Sequence, residues 1–359
     1  MQEAVLKENI RIVPFEEKYA DACAQLLGHL WKRDPERRRA LFRWKYLKNP
    51  NRPAPLCLIA LNEKDEVVAF RGYTVDTVRM GAERHRVAKI ADMTVHPSYR
   101  RRGLFERMTR LSADHLYTQG VGLILGLSPS WPTYHGYKKI GGEELSPFKS
   151  LFRFGFVSGA KHVLSRWFNG LRRPAPGTFL REKTKDGYRY VLSDRLDPEL
   201  AARITTLRRL ERPAGTELSG EVLAWHGQNP AARYVYAYAC NPAGEPVAFF
   251  LLRTTDGFGY QLGCALSGDN KCAKRLFRFF CRTMRPSVVA VWSFALAESR
   301  RRLLKKLGFW SIPFLWKMRK NPPVVAIRTD ARKKDWDFGG VNIRDIGSWE
   351  IDKQDNDSF

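Results

Sequence analysis

The sequence contains no apolar run near the roughly 18 residues that a membrane-spanning helix needs. Its first residues, MQEAVLKENIRIV, include acidic side chains and lack the apolar stretch of a secretory signal. None of the six cysteines forms a Cys-x-x-Cys pair, and no Cys/His cluster has zinc-site spacing. We therefore expect a cytoplasmic protein that holds no metal and no disulfide framework.

Acidic residues are scarce relative to basic ones. The 359 residues include 37 Asp and Glu against 62 Lys and Arg, a formal net charge of +25. Residues 271–320 alone hold 14 basic residues and one acidic residue, Glu298. Such an imbalance is informative about partners rather than about the fold. It favours an anionic partner, which could be nucleic acid, an anionic membrane surface, a polyphosphate cofactor or an acidic carrier protein.

The predicted elements follow the order of a mixed α/β (α+β) protein and then begin again. In the first half, hydrophobic periodicity predicts the order β-α-α-β-β-β-α-β-α, with more strand near residues 144–158. A similar order restarts near Tyr188, although the two halves repeat their elements and not their sequence. We expect a first domain over 1–158, a basic linker over 159–187, a second domain over 188–320 and a polar C-terminal tail over 321–359.

One stretch of the first half has the chemistry of a pyrophosphate site. A predicted strand ends at Val95, Pro97 turns the chain, and three arginines lead to Gly103 at the start of a helix. A helix N-terminus presents unpaired N–H groups and the positive end of the helix dipole to an anion. Glycine lets the backbone approach a ligand closely, and adjacent arginines add charge-assisted contacts.

This stretch resembles the signature of the GCN5-related N-acetyltransferase (GNAT) superfamily. The family motif is a strand, then Arg/Gln-x-x-Gly-x-Gly/Ala, then a helix that binds the acyl-CoA pyrophosphate. Arg100 and Gly103 match the motif, and Phe105 departs from the small residue expected last. A later signature, a helical Tyr three residues before an apolar-Gly pair, is similar to Tyr137 followed by Ile140-Gly141. The resemblance covers about residues 9–158, and the second half only in element order.

The resemblance implies two GNAT-like mixed β-sheet domains with flanking helices in tandem, the second a degenerate repeat. It also implies direct transfer of an acyl group from acetyl-CoA or another acyl-CoA to an amine, without a covalent enzyme intermediate. The strand would pair with the pantetheine amides, and the N–H near Val95 would polarise the thioester carbonyl. The residues implied for cofactor binding are Met93, Thr94, Val95, Arg100, Arg101, Arg102, Gly103, Leu104 and Phe105.

The resemblance further implies that Tyr137 protonates the departing thiolate as general acid. A packing role for Tyr137 is the alternative, in which case Tyr134, one helical turn earlier, could donate the proton. The base that deprotonates the amine has three candidates: Asp92, His96 and His135. Asp92 could instead make a structural hydrogen bond, His96 could cap a turn, and bulk water could take the proton.

The second half lacks these parts. Its equivalent strand is followed by Ser267-Gly268-Asp269-Asn270-Lys271, without Arg-x-x-Gly, and Leu304 stands at the position that matches Tyr137. We therefore expect one working site, in the N-terminal half. The C-terminal half would shape the acceptor cleft or mediate assembly.

Trp44 and Tyr46 lie in the segment where this family builds the wall of its acceptor site. Beside lysines, this pair could stack on a sugar ring or hold an anionic acceptor, although a packed helix end explains it equally well. Similar Trp-Lys-Tyr-Leu-x-Asn-Pro segments occur in bacterial relatives associated with surface-polysaccharide synthesis. We expect a small amine acceptor, and an amino sugar or related amine rather than a protein lysine.

Two basic segments of the second half complete the sequence-based predictions. One is a helical stripe, and the other, Lys161–Arg173, is a possible amphipathic helix that could dock on an anionic membrane or pack between domains. They allow a peripheral location at the inner membrane surface. The competing class is a GNAT-fold binding protein without catalysis, bound to nucleic acid or membrane. The residues of the stripe are Lys271, Lys274, Arg275, Arg278, Arg282 and Arg285.

Overall fold

The chain divides into two compact units, and neither is a continuous stretch of sequence. The computed structural model describes residues 9–51, 56–147, 149–155, 179–255, 259–311, 322–330, 335–352 and 354. Unit 1 comprises Met1–Thr77, His85–Glu144 and Val324–Asp335. Unit 2 comprises Val78–Arg84, Leu145–Pro323 and Trp336–Phe359.

The helices of unit 1 are short near its start and longer around the predicted site. They are α1 (Ala20–Leu26), α2 (Gly28–Trp31), α3 (Pro35–Phe42), α4 (Leu104–Thr118) and α5 (Trp131–Lys139). A π-helical turn over Arg43–Leu47 continues α3. Helix α3 begins at Pro35 because the Asp34 carboxylate accepts a 2.9 Å hydrogen bond from Arg37 N and Pro suits the first helical position.

Unit 2 has four described helices. They are α6 (Pro198–Thr205), α7 (Gly220–His226), α8 (Asn270–Met284) and α9 (Glu298–Lys306). The described strands of the whole chain, in order, are β1 (Arg11–Pro14), β2 (Leu58–Leu61), β3 (Val67–Met80), β4 (Glu83–Val95), β5 (Val121–Gly126), β6 (Glu143–Ser146), β7 (Ser150–Phe154), β8 (Leu180–Lys185), β9 (Tyr188–Ser193), β10 (Ala214–Thr216), β11 (Tyr234–Cys240), β12 (Pro246–Thr254), β13 (Gly259–Ser267), β14 (Val288–Trp292), β15 (Trp310–Ser311), β16 (Val324–Arg328), β17 (Asp337–Phe338), β18 (Val341–Asn342) and β19 (Trp349–Glu350).

The sheet of unit 1 has the strand order β1-β2-β3-β4-β5-β16-β6. Strands β1, β2 and β3 pair antiparallel, β4 and β5 pair parallel, and β16 pairs antiparallel with β5. One apolar cluster joins α1 and α3 to Phe70 of β3, and another joins α4 and α5 to Tyr73 of β3. Because neighbouring side chains of a strand point to opposite faces, both faces of this sheet are covered by helices.

The sheet of unit 2 has the order β15-β7-β14-β13-β12-β11-β9-β8. Here β13 and β14 pair parallel, and β9, β11, β12 and β13 pair antiparallel in succession. Helices α8 and α9 pack on one apolar cluster of this sheet, and α6 and α7 pack on another. The last residues of β3, which belong to unit 2, pair with β10, and β10 pairs with β19.

The units differ from the predicted domain boundaries because two strands lie outside the expected halves. Ser150–Phe154, expected in the first domain, forms β7 and pairs with β14 and β15 of unit 2. Val324–Arg328, expected in a polar tail, forms the buried strand β16 beside β5 of unit 1. Both segments are short, and their partners lie far away along the chain, so local patterning does not show which sheet they join.

The prediction of a mixed α/β fold is confirmed by the two mixed sheets and their flanking helices. The amphipathic helix expected over Lys161–Arg173 and most of the expected basic linker lie outside the described residues. Across the described part of the chain, we find no helix with the length and apolarity to cross a bilayer.

Candidate active site

Strand β4 is longer than the segment of it that pairs with β5. The parallel pairs extend from Arg86–Val121 to Lys89–Leu125, whereas β4 continues to Val95. Beyond Lys89 the β5 side of β4 therefore has backbone groups that this ladder does not use. The predicted cofactor residues Met93, Thr94 and Val95 all lie on this stretch. An unpaired strand edge is suited to pairing with the amide groups of an extended ligand.

The loop after β4 turns into the N-terminus of α4. Gly103 takes a left-handed conformation (φ 71°) directly before the helix, and Arg101 does the same (φ 62°). As the N-cap residue, Gly103 supplies no side-chain hydrogen bond to the first turn of α4. All three arginines of the loop are exposed, and Arg100 Nε donates to the Val95 carbonyl at 3.2 Å. The loop thus presents free helix N–H groups beside three cationic side chains, as an anion site requires.

Phe105, the residue that departs from the family motif, packs against α5. Its ring centroid lies 5.6 Å from that of Tyr137. The ring also occupies the space where a Cβ at position 136 would lie, so only Gly136 fits there. A large residue at the end of the motif is therefore accommodated by a glycine in α5. Leu104 beside it is buried against β2 and β3.

Tyr137 is fully buried, and its hydroxyl meets a side chain that the sequence analysis did not single out. Arg71 of β3 donates from Nη1 to Tyr137 Oη at 3.1 Å and from Nε to Tyr73 Oη at 2.8 Å. The Arg71 side chain is also fully buried, among three aromatic rings. Its guanidinium carbon lies 4.8 Å from the ring centroid of Tyr73, 5.4 Å from that of Tyr137 and 5.9 Å from that of Phe105.

Asp92 of β4 is the centre of a second cluster. Its carboxylate accepts hydrogen bonds from Lys45 Nζ (2.7 Å), Tyr46 Oη (2.7 Å) and Trp31 Nε1 (3.0 Å). Burial alone would raise the pKa of Asp92, but the Lys45 charge and these hydrogen bonds outweigh it and lower the pKa below its usual value. Asp92 is thus an anion held by an ion pair, which makes it a weak proton acceptor.

The two clusters lie on opposite faces of the sheet at neighbouring residues of β3. Arg71 points to the face that carries Tyr137 and Phe105. On the other face the Tyr46 hydroxyl lies so close to Gly72 that a Cβ there would collide with it. The β4 edge is therefore flanked by the Arg71–Tyr137 cluster on one face and by the Lys45–Asp92 ion pair on the other.

The three other candidates for acid or base contact other side chains. Tyr134 is buried and donates its hydroxyl hydrogen bond to Glu144. This bond, together with burial, raises the pKa of Tyr134 to about 12. His135 is exposed, and its ring lies 5.7 Å from that of Trp131 and 5.2 Å from that of Tyr134. His96 is exposed as well, 5.9 Å between ring centroids from Tyr99.

Trp44 and Tyr46 were predicted to form the acceptor wall. Trp44 is buried, with 4% of its surface exposed. Tyr46 packs against Phe42 and Phe70, at ring separations of 5.0 and 5.2 Å, and only its hydroxyl reaches Asp92. Both rings are therefore packed as the alternative interpretation, a packed helix end, predicts. Tyr46 contributes to the site through one polar atom.

Sequence reasoning missed Arg71, Lys45 and Trp31. The available signal for Arg71 was a charged residue inside the apolar strand pattern VVAFRGY, and for Lys45 it was a lysine between two aromatic residues. Neither pattern indicates which residue the charge would meet. In the described residues, no three His, Cys, Asp or Glu side chains come together as a metal site would need.

Comparisons with known proteins agree with this geometry. Residues 11–143 match the model of the acetyltransferase (GNAT) domain family. No curated protein sequence matches the chain. A probable N-acyltransferase from Enterococcus faecalis has a similar structure, with a TM-score of 0.61 and 13% identity over 90% of this chain and 73% of that one.

Two further solved structures are similar over most of the chain. The N-myristoyltransferase of Saccharomyces cerevisiae, with bound myristoyl-CoA, has a TM-score of 0.54 and 13% identity over 90% of this chain and 79% of that one. A tandem GNAT protein from the clavulanic acid biosynthesis pathway has a TM-score of 0.50 and 12% identity over 89% and 99%. Residues 11–143 thus match the GNAT acetyltransferase domain family in sequence, and the chain as a whole has a fold similar to that of tandem GNAT proteins.

Proposed function

We propose that this protein is an acyl-CoA-dependent N-acyltransferase and that unit 1 carries the reaction. The observation that supports this most is the free backbone edge of β4, which leads directly to the uncapped N-terminus of α4. Met93, Thr94 and Val95 would bind the pantetheine amides through their backbone. The segment Arg100–Phe105 would bind the pyrophosphate through helix N–H groups and arginine side chains.

The bound acyl-CoA supplies an activated thioester. Tyr137 donates its proton to the departing thiolate sulfur, and a β4 backbone N–H near Val95 polarises the thioester carbonyl. Asp92 is held as an anion by Lys45, so we assign it to orienting Lys45 and Tyr46 beside the acceptor. The proton of the attacking amine then passes to bulk water rather than to Asp92 or His135.

The acceptor is a small amine, and an amino sugar is the first class to test, with acetyl-CoA as donor. The test combines calorimetry with acetyl-CoA and a screen of amines for release of free CoA thiol. We expect binding at micromolar to millimolar concentration and thiol release with at least one amine. Absence of acetyl-CoA binding at millimolar concentration would overturn the proposal. Thiol release with myristoyl-CoA but not with acetyl-CoA would show that the donor carries a long acyl chain.

A second interaction is favoured by the exposed side of α8. Four basic residues of the helix and Arg285, which directly follows it, are exposed and have no acidic partner among the described residues, whereas Arg275 pairs with Asp186 at 2.8 Å. We propose an anionic membrane surface as the partner of this stripe. Sedimentation with phosphatidylserine vesicles should show binding that the variant Lys274→Glu/Arg278→Glu loses. Binding only to nucleic acid or to an acidic carrier protein would contradict it. The five residues are Lys271, Lys274, Arg278, Arg282 and Arg285.

A further inference from the structure

Among the described residues, no acidic side chain balances the buried charge of Arg71. Its side chain is fully buried, and its polar partners are the hydroxyls of Tyr73 and Tyr137. The remaining nitrogen, Nη2, is buried and has no hydrogen-bond partner in the described residues. Arginine keeps its charge in proteins, and an uncompensated buried charge is strongly unfavourable for folding.

The other buried cations of the described residues are arranged differently. Lys45 pairs with Asp92, Lys89 pairs with Asp76, and Arg300 pairs with both Glu350 (2.8 Å) and Asp352 (2.5 Å). Each of them thus has the carboxylate that burial of a charge normally needs. The exception is the guanidinium that donates to the hydroxyl of Tyr137. An apolar side chain at position 71 would fill the same space without the electrostatic penalty.

We propose that Arg71 is a positioning residue for proton transfer from Tyr137, an inference that rests on the proposed function. In the reaction the amine nitrogen bonds to the thioester carbon, the carbon–sulfur bond breaks, and its electron pair stays on sulfur. The sulfur takes the Tyr137 proton, and the phenolate oxygen that remains is stabilised by the N–H of Arg71. Water then returns a proton to Tyr137, and the proton released by the amine balances it.

The surroundings of Arg71 strengthen this effect. The rings of Tyr73, Tyr137 and Phe105 surround the guanidinium and separate it from solvent. A charge acts more strongly on a neighbouring oxygen in such a low-dielectric environment than in water. A carboxylate next to Arg71 would neutralise its charge, whereas the described part of the chain places only tyrosine hydroxyls there, which leaves the charge available to Tyr137. Phe105, which departs from the family motif, is part of this enclosure.

The decisive experiment is a double-mutant cycle of Arg71→Met and Tyr137→Phe, measured by CoA release together with acyl-CoA affinity. Arg71→Met alone should lower kcat at least about ten-fold, since general acid catalysis supplies roughly 10²–10⁴-fold. KM and the dissociation constant of acyl-CoA should stay within about three-fold. In the Tyr137→Phe background, Arg71→Met should change kcat less than about two-fold, because two residues that act as a unit are not additive.

Arg71→Lys keeps the charge and should recover part of the lost kcat, and it replaces Arg71→Met in the cycle if the methionine variant does not fold. Arg300→Met is the control for removal of a buried arginine. It should lower the melting temperature and leave kcat unchanged. Losses that multiply in the double variant, or an unchanged kcat in Arg71→Met, would overturn the role of Arg71 in an active enzyme. A wild type that neither binds nor consumes acyl-CoA would overturn both proposals.

Discussion

The two units contain the same strand arrangement with different chemistry around it. In unit 1 the parallel pair β4–β5 ends at Lys89–Leu125, and β4 continues for residues 90–95. In unit 2 the parallel pair β13–β14 ends at Gln261–Ala290, and β13 continues to Ser267. A helix follows the longer strand in each case, α4 in unit 1 and α8 in unit 2. The two units therefore share the topology of a long strand that extends past its parallel partner into a helix, and the chemistry around that strand distinguishes them.

The starts of the two helices show the clearest difference. Gly103 precedes α4 and gives its first turn no side-chain cap. Asp269 precedes α8, and its carboxylate accepts hydrogen bonds from Lys271 N (2.7 Å) and Cys272 N (3.1 Å). In unit 2 the protein itself thus supplies an anion at the start of the helix, where our proposal places the pyrophosphate of a ligand in unit 1.

The longer strands also have different neighbours. Unit 2 places its own C-terminal segment near β13, where Ile351 N donates to the Ala295 carbonyl at 3.0 Å. Burial raises the pKa of the Cys264 thiol on β13, and the nearby Asp352 carboxylate raises it further. At the position expected to match Tyr137, Leu304 is buried in the apolar core. These differences support the proposal that unit 1 carries acyl transfer and that this region of unit 2 has a structural role.

The largest expected effect is on Tyr137, the residue with no polar counterpart in unit 2. Tyr137→Phe keeps the ring but removes its proton, so kcat should fall about 10²–10⁴-fold while acyl-CoA affinity stays near that of the wild type. Leu304→Ala is the matched variant and should lower the free energy of unfolding by about 2–5 kcal/mol with kcat retained. Steady-state kinetics and urea unfolding measure both. Turnover of Tyr137→Phe within three-fold of wild type would show that the thiolate takes its proton elsewhere.

The second effect concerns the charges near β13. Asp352 accepts from Arg208 (2.7 Å) and Arg300 (2.5 Å), and all three side chains are almost fully buried. Asp352→Asn leaves two buried cations without this carboxylate, which should cost about 3–5 kcal/mol of unfolding free energy. Urea denaturation gives the loss, and a CoA-release assay at low temperature gives the activity. If kcat fell in a fully folded variant, unit 2 would have a direct part in the chemistry.

A smaller effect is expected at the open helix start. Arg100→Ala removes a charge-assisted contact of about 1.5–3 kcal/mol, so the dissociation constant of acetyl-CoA should rise about ten-fold or more. Arg11→Ala, at the exposed edge strand β1, controls for the loss of one surface arginine. Isothermal titration calorimetry measures both affinities. Equal acetyl-CoA affinities of the two variants would show that the pyrophosphate does not bind to this loop.

The smallest effect is expected at the closed helix start. Asp269→Ala removes the cap of α8 and should cost about 1 kcal/mol of unfolding free energy. Hydrogen bonds to the Cys272 thiol and to the helix amides lower the pKa of Asp269. A lowered folded-state pKa means that the cap stabilises the fold above the unfolded-state pKa of about 3.9 and that this contribution is lost as pH falls through the folded value. The difference in unfolding free energy between wild type and variant should therefore be smaller at pH 3 than at pH 7, as urea unfolding at the two pH values would show.

The sequence was sufficient to predict the elements of the site that are close together in the chain. Strand β4, the arginine loop, Gly103 and Tyr137 follow one another within 60 residues, and local patterns with a family motif predict their placement. Arg71 could not be predicted as a partner of Tyr137, because 66 positions separate them. Lys45 likewise meets Asp92 across 47 positions, which changed the interpretation of Asp92 from a candidate base to a paired anion.

Strand β7 joins the sheet of unit 2, and strand β16 joins the sheet of unit 1. This arrangement has a consequence for folding during synthesis. Strand β16 lies between β5 and β6 in the sheet, but a ribosome synthesises it about 180 residues after β6. Until then the edge of β5 in the nascent first unit is unpaired. Such an edge can pair with a strand of another chain and lead to aggregation. The first unit therefore completes its sheet only after Arg328 has been translated. Expression of residues 1–158 alone would yield a sheet that lacks an interior strand.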